Sequence, residues 1–111
     1  MRVLLAVVLA GTACSAGVTR PPVSGAPVTI EIRDYAFRPG TVTVPAGTPV
    51  TWIERDPDID GVGTHSVVAG MFMSVDHLAN GAAYTVTPPG PGTYAYHCGI
   101  HNYMTGTVTV R

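Results

Sequence analysis

The sequence runs to 111 residues, with six basic and seven acidic residues giving a formal charge of −1, and charged residues make up only 12% of it. That length supports one small domain with a single core and leaves no room for a second. The near-balanced charge provides no electrostatic footprint for nucleic acid or for an anionic membrane surface.

The chain opens with Met1-Arg2 and an unbroken apolar run from Val3 to Ala10, too short to cross a bilayer and followed by small residues. This is the shape of an export signal. The run Leu9-Ala10-Gly11-Thr12-Ala13-Cys14 resembles a lipobox, in which the cysteine is lipidated and becomes the new N-terminus. Gly11 departs from the aliphatic residue usual there, and ordinary cleavage after Ala13 or Ala16 is the competing reading. Cleavage after Ala13 would leave a free thiol in an oxidising compartment, which favours lipidation at Cys14. Residues 1–14 are therefore assigned to an export signal of lipoprotein type. Residues 15–27, rich in Gly, Pro, Ser and Ala and containing Pro21-Pro22, form a flexible tether that cannot bury enough surface to fold. The expected location is the periplasm or the outer face of the cytoplasmic membrane, with membrane contact only through the lipid.

From Val28 the pattern has period two. Val28, Ile30 and Ile32 alternate with Thr29 and Glu31, Val42 and Val44 with Thr41 and Thr43, and Val50 and Trp52 flank Thr51. Each run reads as a half-buried strand. Pro39-Gly40, Pro45-Ala46-Gly47 and Pro88-Pro89-Gly90-Pro91-Gly92 punctuate them. Helical periodicity is absent apart from a short turn near Val75 to Ala79. The predicted fold class is all-β: a Greek-key antiparallel β-sandwich over residues 28–111.

Chemistry concentrates in His97-Cys98-Gly99-Ile100-His101-Asn102-Tyr103-Met104. A thiol, an imidazole three residues later and a thioether three residues after that are soft and borderline donors, which suit copper in both oxidation states better than zinc. Gly99 and Asn102 break up the stretch, so it reads as a loop between strands at one end of the sandwich. Three blander readings compete: Cys-x-x-His as half of a zinc site, Met104 as a core filler, and Cys98 as a small buried hydrophobe. A further ligand candidate is His65, which follows the polar stretch Ile53 to Thr64 and opens the apolar run Ser66-Val67-Val68. Alternation along Thr93 to Cys98 puts Tyr94, Tyr96 and Cys98 inward and His97 outward, away from any metal that Cys98 holds. Cys14 and Cys98 have different local roles, and no disulfide is expected between them.

Taken in order, Thr41-Val42-Thr43-Val44-Pro45-Ala46-Gly47, Val50-Thr51-Trp52, Thr64-His65-Ser66-Val67 and Gly92-Thr93-Tyr94-Ala95-Tyr96-His97-Cys98 with His101, Met104 and Gly106 resemble the small blue copper proteins of the cupredoxin family. The Cys-x-x-His-x-x-Met spacing is that of the amicyanin and plastocyanin branch, in its amicyanin-like form. The resemblance implies one type 1 copper ion with His65, Cys98 and His101 as equatorial ligands and Met104 as the axial one. It implies a one-electron carrier between a donor and an acceptor redox protein, with His101 as the electron port amid Ile100, Tyr103 and Pro39. Two positions depart from the family pattern. Ser66 stands where Asn often ties the ligand loops together, and Glu54 where Asn commonly follows the strand tryptophan by two residues.

A second function to weigh is a copper-binding or copper-delivery protein without a redox partner. Met71, Met73 and His77 form a Met-x-Met pair with a nearby histidine, a set that also suits Cu(I), against the plainer reading that Phe72 or the methionines cap the site end or fill the core. An enzyme is not expected. Copper oxidases and nitrite reductases resemble repeated cupredoxin domains with further histidine clusters, and beyond His65 and His101 only His77 and His97 remain.

Overall fold

The computed structural model describes residues 25–58 and 64–111. The export signal, the Cys14 lipidation site and nearly all of the tether lie outside the described residues. Eight strands form in chain order: β1 (Val28–Arg33), β2 (Ala36–Arg38), β3 (Thr41–Val44), β4 (Val50–Glu54), β5 (Val68–Ala69), β6 (Ala83–Val86), β7 (Gly92–His97) and β8 (Thr105–Val110). They make two four-stranded sheets, ordered β2-β1-β4-β6 and β3-β8-β7-β5. The predicted all-β sandwich is the fold.

Wholly antiparallel pairing is corrected at two places, since β1 pairs with β4 and β3 with β8 in parallel. The cause lies at Pro39-Gly40. Only these two residues separate β2 from β3, yet the strands belong to opposite sheets. Proline cannot donate to a ladder, so the strand breaks there and the chain changes sheet instead of turning back as a hairpin. The 45–49 turn then returns β4 to the first sheet alongside β1.

Period-two patterning does what it predicts. Ile30 and Ile32 of β1, Val50 and Trp52 of β4, Tyr96 of β7 and Val108 and Val110 of β8 all fall in the buried core. Trp52 is its centre, with ring centroids 5.2 Å from Tyr96, 5.7 Å from Phe72 and 5.8 Å from Tyr84. Phe37 meets Tyr96 edge-on at 4.7 Å. Such pairings contribute beyond their buried area. Gly106 lies directly opposite Tyr96 in the β7–β8 ladder, and a Cβ there would overlap the Tyr96 ring. That close approach explains the glycine in an otherwise β-branched strand.

The expected helical turn at Val75–Ala79 is replaced by irregular, extended chain. Leu78 forms a bridge with His65, its N–H donating to the His65 carbonyl at 2.8 Å while Thr64 N–H donates to the Leu78 carbonyl at 3.2 Å. With Leu78 buried and its backbone committed to His65, a helix has nothing to gain there. Phe72 enters the core, but Met71 and Met73 on either side of it are 67% and 61% exposed, so the core-filling reading fails for both methionines. Among the described residues no helix is long and apolar enough to cross a membrane.

Candidate metal centre

Three segments converge at one end of the sandwich. They are the β1–β2 turn at Asp34-Tyr35, the chain leading from β4 to β5 that contains Asp56 and His65, and the β7–β8 loop from Cys98 to Met104. The β7–β8 loop is closed on itself, Cys98 N–H donating to the Met104 carbonyl at 3.0 Å and Met104 N–H to the His101 carbonyl at 2.9 Å. Closure places Cys98 and Met104 side by side at its base, both buried, and lifts His101 to a half-buried position at its crest. The two ligand loops are stitched together at Ser66, whose Oγ accepts the Gly99 N–H at 2.8 Å. A tie between the loops therefore survives the departure from Asn, with the hydroxyl oxygen as acceptor.

His65 Nδ1 lies 3.9 Å from Cys98 Sγ and 3.3 Å from His101 Nδ1. The donor atoms of His65, Cys98 and His101 all lie within 4.8 Å of one another. Backbone N–H groups of Ser66 and His101 each point at Cys98 Sγ from 3.4 Å, a placement that stabilises negative charge on sulfur. His97 sits on the opposite face of β7 from Tyr96, as alternation along the strand predicts, and its Nδ1 donates to the Cys98 carbonyl at 2.8 Å.

Behind the donors stands a residue that the sequence reading passed over. Asp56 Oδ2 accepts from His65 Nε2 at 2.9 Å and from Tyr35 N–H at 2.9 Å, while Oδ1 accepts Asp34 N–H at 2.7 Å. A carboxylate only accepts, so His65 Nε2 carries the proton and Nδ1 presents its lone pair to Cys98 and His101. Burial alone would raise the Asp56 carboxyl, but the two backbone N–H groups and the His65 ring outweigh it and hold the group below its ordinary range. Burial also holds the His65 ring below its usual pKa, against the pull of Asp56. Both shifts favour an ionised carboxylate beside a neutral imidazole, the state a metal ligand requires. A histidine that binds metal through one nitrogen needs a partner for the other, but with Glu54, Asp56, Asp58 and Asp60 all upstream of His65 the sequence does not single out which acid it is.

Asp56 also shapes the β1–β2 turn. Asp34 and Tyr35 both adopt left-handed backbone, at φ 53° and 59°, with their N–H groups converging on the one carboxylate. The turn delivers the Tyr35 ring edge-on to His65 at 4.9 Å and to His101 at 5.1 Å. Tyr103 flanks His101 at 5.9 Å, and Ile100 and Tyr103 are exposed as expected. The aromatic from the first sheet beside His101 is thus Tyr35; Pro39 lies beyond the far end of β2.

Glu54 occupies the next shell inward. It is fully buried, its Oε1 accepts Asp56 N–H at 2.8 Å, and its Oε2 has no partner among the described residues. Burial, reinforced by the Asp56 charge and opposed by that N–H bond, pushes its pKa up from 4.5 to about 7. Two adjoining carboxyls in a dry pocket cannot both ionise cheaply. Asp56 has the donors, so of the two it is Glu54 that holds a proton, up to about pH 7.

A cupredoxin-like domain model matches residues 2–110. The chain belongs to the cupredoxin family. Within it, the chain is 29% identical over 90 residues to amicyanin from Paracoccus denitrificans, a match covering 76% of this chain and 65% of that protein's length. Among solved structures, a copper-containing nitrite reductase from Thermus scotoductus superposes with a TM-score of 0.70 at 29% identity, over 82% of this chain and 25% of the enzyme. A variant of amicyanin in its reduced Cu(I) form at pH 4 gives 0.66 at 29% identity, over 80% and 86% of the two chains. The fold alone is shared with a purple cupredoxin from Nitrosopumilus maritimus, at a TM-score of 0.66 and 24% identity over 76% of this chain and 99% of that one.

The residues present fit copper on their own chemistry. Two imidazole nitrogens and one thiol sulfur meet at one end of the sandwich, His65 and Cys98 buried and His101 half-buried, with N–H groups already aimed at the sulfur. This is the ligand set that suits a trigonal copper site, and a buried methionine at the loop base supplies the weak neutral donor such a site accepts.

Proposed function

We propose that this cupredoxin is an exported one-electron carrier in which His65, Cys98 and His101 are the equatorial copper ligands and Met104 the axial one. Copper bound there supplies one-electron exchange between Cu(I) and Cu(II). The observation that carries the reading is the convergence of His65 Nδ1, Cys98 Sγ and His101 Nδ1 within 4.8 Å.

The protein's own contribution is rigidity. His65 is fixed by Asp56, by the Leu78 bridge and by full burial, and Cys98 by two N–H groups and the closed loop. Donors held from outside the metal cannot relax toward the geometry that either oxidation state prefers, so little rearranges on transfer. His101 is the half-buried ligand, and its edge among Tyr35, Ile100 and Tyr103 is the port for donor and acceptor redox proteins. With a formal charge of −1, contact relies more on apolar burial than on long-range steering.

Carrier action, not catalysis, is our reading of the His65, Cys98 and His101 cluster; the neighbouring Glu54, Asp56 and His65 group shares its histidine, whose other nitrogen Asp56 already holds. The nitrite reductase is matched over only a quarter of its length. Residues 1–14 as a lipoprotein signal, 15–27 as tether and 28–111 as the domain complete the proposal, with lipidated Cys14 holding the protein at the outer face of the cytoplasmic membrane or in the periplasm. Mass spectrometry of the mature protein tests that anchor, and an unmodified N-terminus after Ala16 would remove it.

The deciding experiment is an absorption and EPR spectrum of the copper-loaded protein. Thiolate ligation predicts an intense blue band that Cys98→Ala abolishes. A colourless copper complex would defeat the carrier reading, and a blue band surviving in Cys98→Ala would defeat the ligand assignment.

A further inference from the structure

Met71, Met73 and His97 take no part in the centre described above; strand register puts Met73 and His97 on one outer face, and Met71 lies in the turn that leads into Met73. Val68 of β5 pairs with His97 of β7 on one side and bridges to Met73 on the other. Directly opposed residues in a ladder point to the same face, so His97, Val68 and Met73 form one row. Met71 lies in the tight turn that joins Ala69 to Phe72, two residues before Met73, and is 67% exposed. The turn that presents Met71 is pinned by Ala69 N–H donating to the Phe72 carbonyl at 2.8 Å.

The ring of His97 is already set for a ligand. Its Nδ1 bonds the Cys98 carbonyl, which only accepts, so in the neutral ring Nδ1 carries the proton and Nε2 the lone pair. The His97 side chain is half-buried, on the face of β7 opposite Tyr96. Val68, half-buried between His97 and Met73, is a short side chain that two longer ones can pass over. The backbones of His97 and Met73 are two strand spacings apart, about 10 Å, a gap that a methionine, an imidazole and one ion between them can close.

We propose that Met71, Met73 and His97 Nε2 form a second, surface site for a soft monovalent cation, Cu(I) in particular. Three neutral donors, two of them thioethers, offer nothing to hard divalent ions and select Cu(I) by softness. His77, singled out in the sequence with the same methionines, falls in the irregular 75–77 segment between the Met73 and Leu78 bridges and outside this row. The site lies on the face of β7 opposite the Cys98 thiol, so one chain would carry a second ion next to, but separate from, the blue centre.

The test uses the full-length, copper-loaded protein and Ag(I), a redox-inert ion of the same charge and softness. In the reduced protein, one equivalent of Ag(I) should shift the NMR signals of the Met71 and Met73 methyl groups and of the His97 imidazole. After reoxidation the blue band should be undiminished. Met71→Ile/Met73→Ile should abolish this binding and His97→Gln should weaken it by about ten-fold or more, as loss of a group supporting a metal does. Both variants should keep the wild-type blue spectrum, which shows that they are folded. Binding that leaves the Met71 and Met73 methyls unmoved, or that persists in the double methionine variant, overturns the site. Bleaching of the blue band in step with Ag(I) also overturns it, since the ion is then entering the Cys98 centre. The two readings fail separately: a colourless copper complex sinks the carrier proposal and leaves the thioether shifts to be judged alone.

Discussion

Replacing Glu54 by Gln should make the metal-free protein more stable at neutral and alkaline pH, by an amount that the buried carboxyl fixes. Glu54 is fully buried and its pKa is pushed from 4.5 to about 7. Between those values the folded chain holds a proton that the unfolded chain has released, so raising pH through this window favours unfolding, and the loss is complete above about 7. At about 1.36 kcal/mol per pKa unit, the displacement corresponds to about 3 kcal/mol. Gln keeps a carbonyl oxygen to accept the Asp56 N–H and has no proton to lose. The His65 ring, held below 6.5 by burial, acts with the opposite sign, its contribution complete above 6.5 and lost as pH falls. Being common to both proteins, it largely cancels in their difference. Chemical denaturation of the two proteins from about pH 4 to about pH 8 should give a stability difference that grows with pH to about 3 kcal/mol in favour of Gln. A difference that stays flat across the range would show that Glu54 ionises as an ordinary carboxylate, and the account of the pocket behind His65 would be wrong.

Asp56→Asn offers one acceptor oxygen where three donors now converge, and should weaken copper binding by about 10- to 100-fold in a competition titration with a chelator. His101→Gly should lose rapid electron self-exchange while still binding copper when imidazole is added; an unchanged exchange rate would sink the port assignment. Gly106→Ala drives a methyl group into the Tyr96 ring and should destabilise the fold by about 1–3 kcal/mol or more, read as a lowered denaturation midpoint.

The readable part of this protein is local. Cys98, His101 and Met104 sit within seven residues, so spacing alone exposes their chemistry, and β1, β3 and β4 announce themselves by strict alternation. The short strands β2 and β5 carry too few residues for a period to show, and the parallel β1–β4 and β3–β8 pairs depend on a change of sheet at Pro39-Gly40 that a list of turns cannot distinguish from a hairpin. Of the segment Met71 to Met73, the plain core-filling reading holds for Phe72 alone, and both methionines face solvent.

What the sequence hides in the site is its support. Asp56 and Tyr35 are 21 residues apart and meet only because β1 and β4 are neighbours whose ends lie together, with Ile32 opposite Glu54 in register. Once that register is known, one carboxylate accounts for three separate facts. It explains the left-handed backbone at Asp34 and Tyr35, the tautomer of His65, and the aromatic edge set against both His65 and His101. It also gives Glu54 its place, as the neutral acid that accepts the Asp56 N–H without adding a second charge. A loop that binds metal can be written in eight consecutive residues; holding its partner histidine in one tautomer takes a carboxylate that the sheet must first carry there.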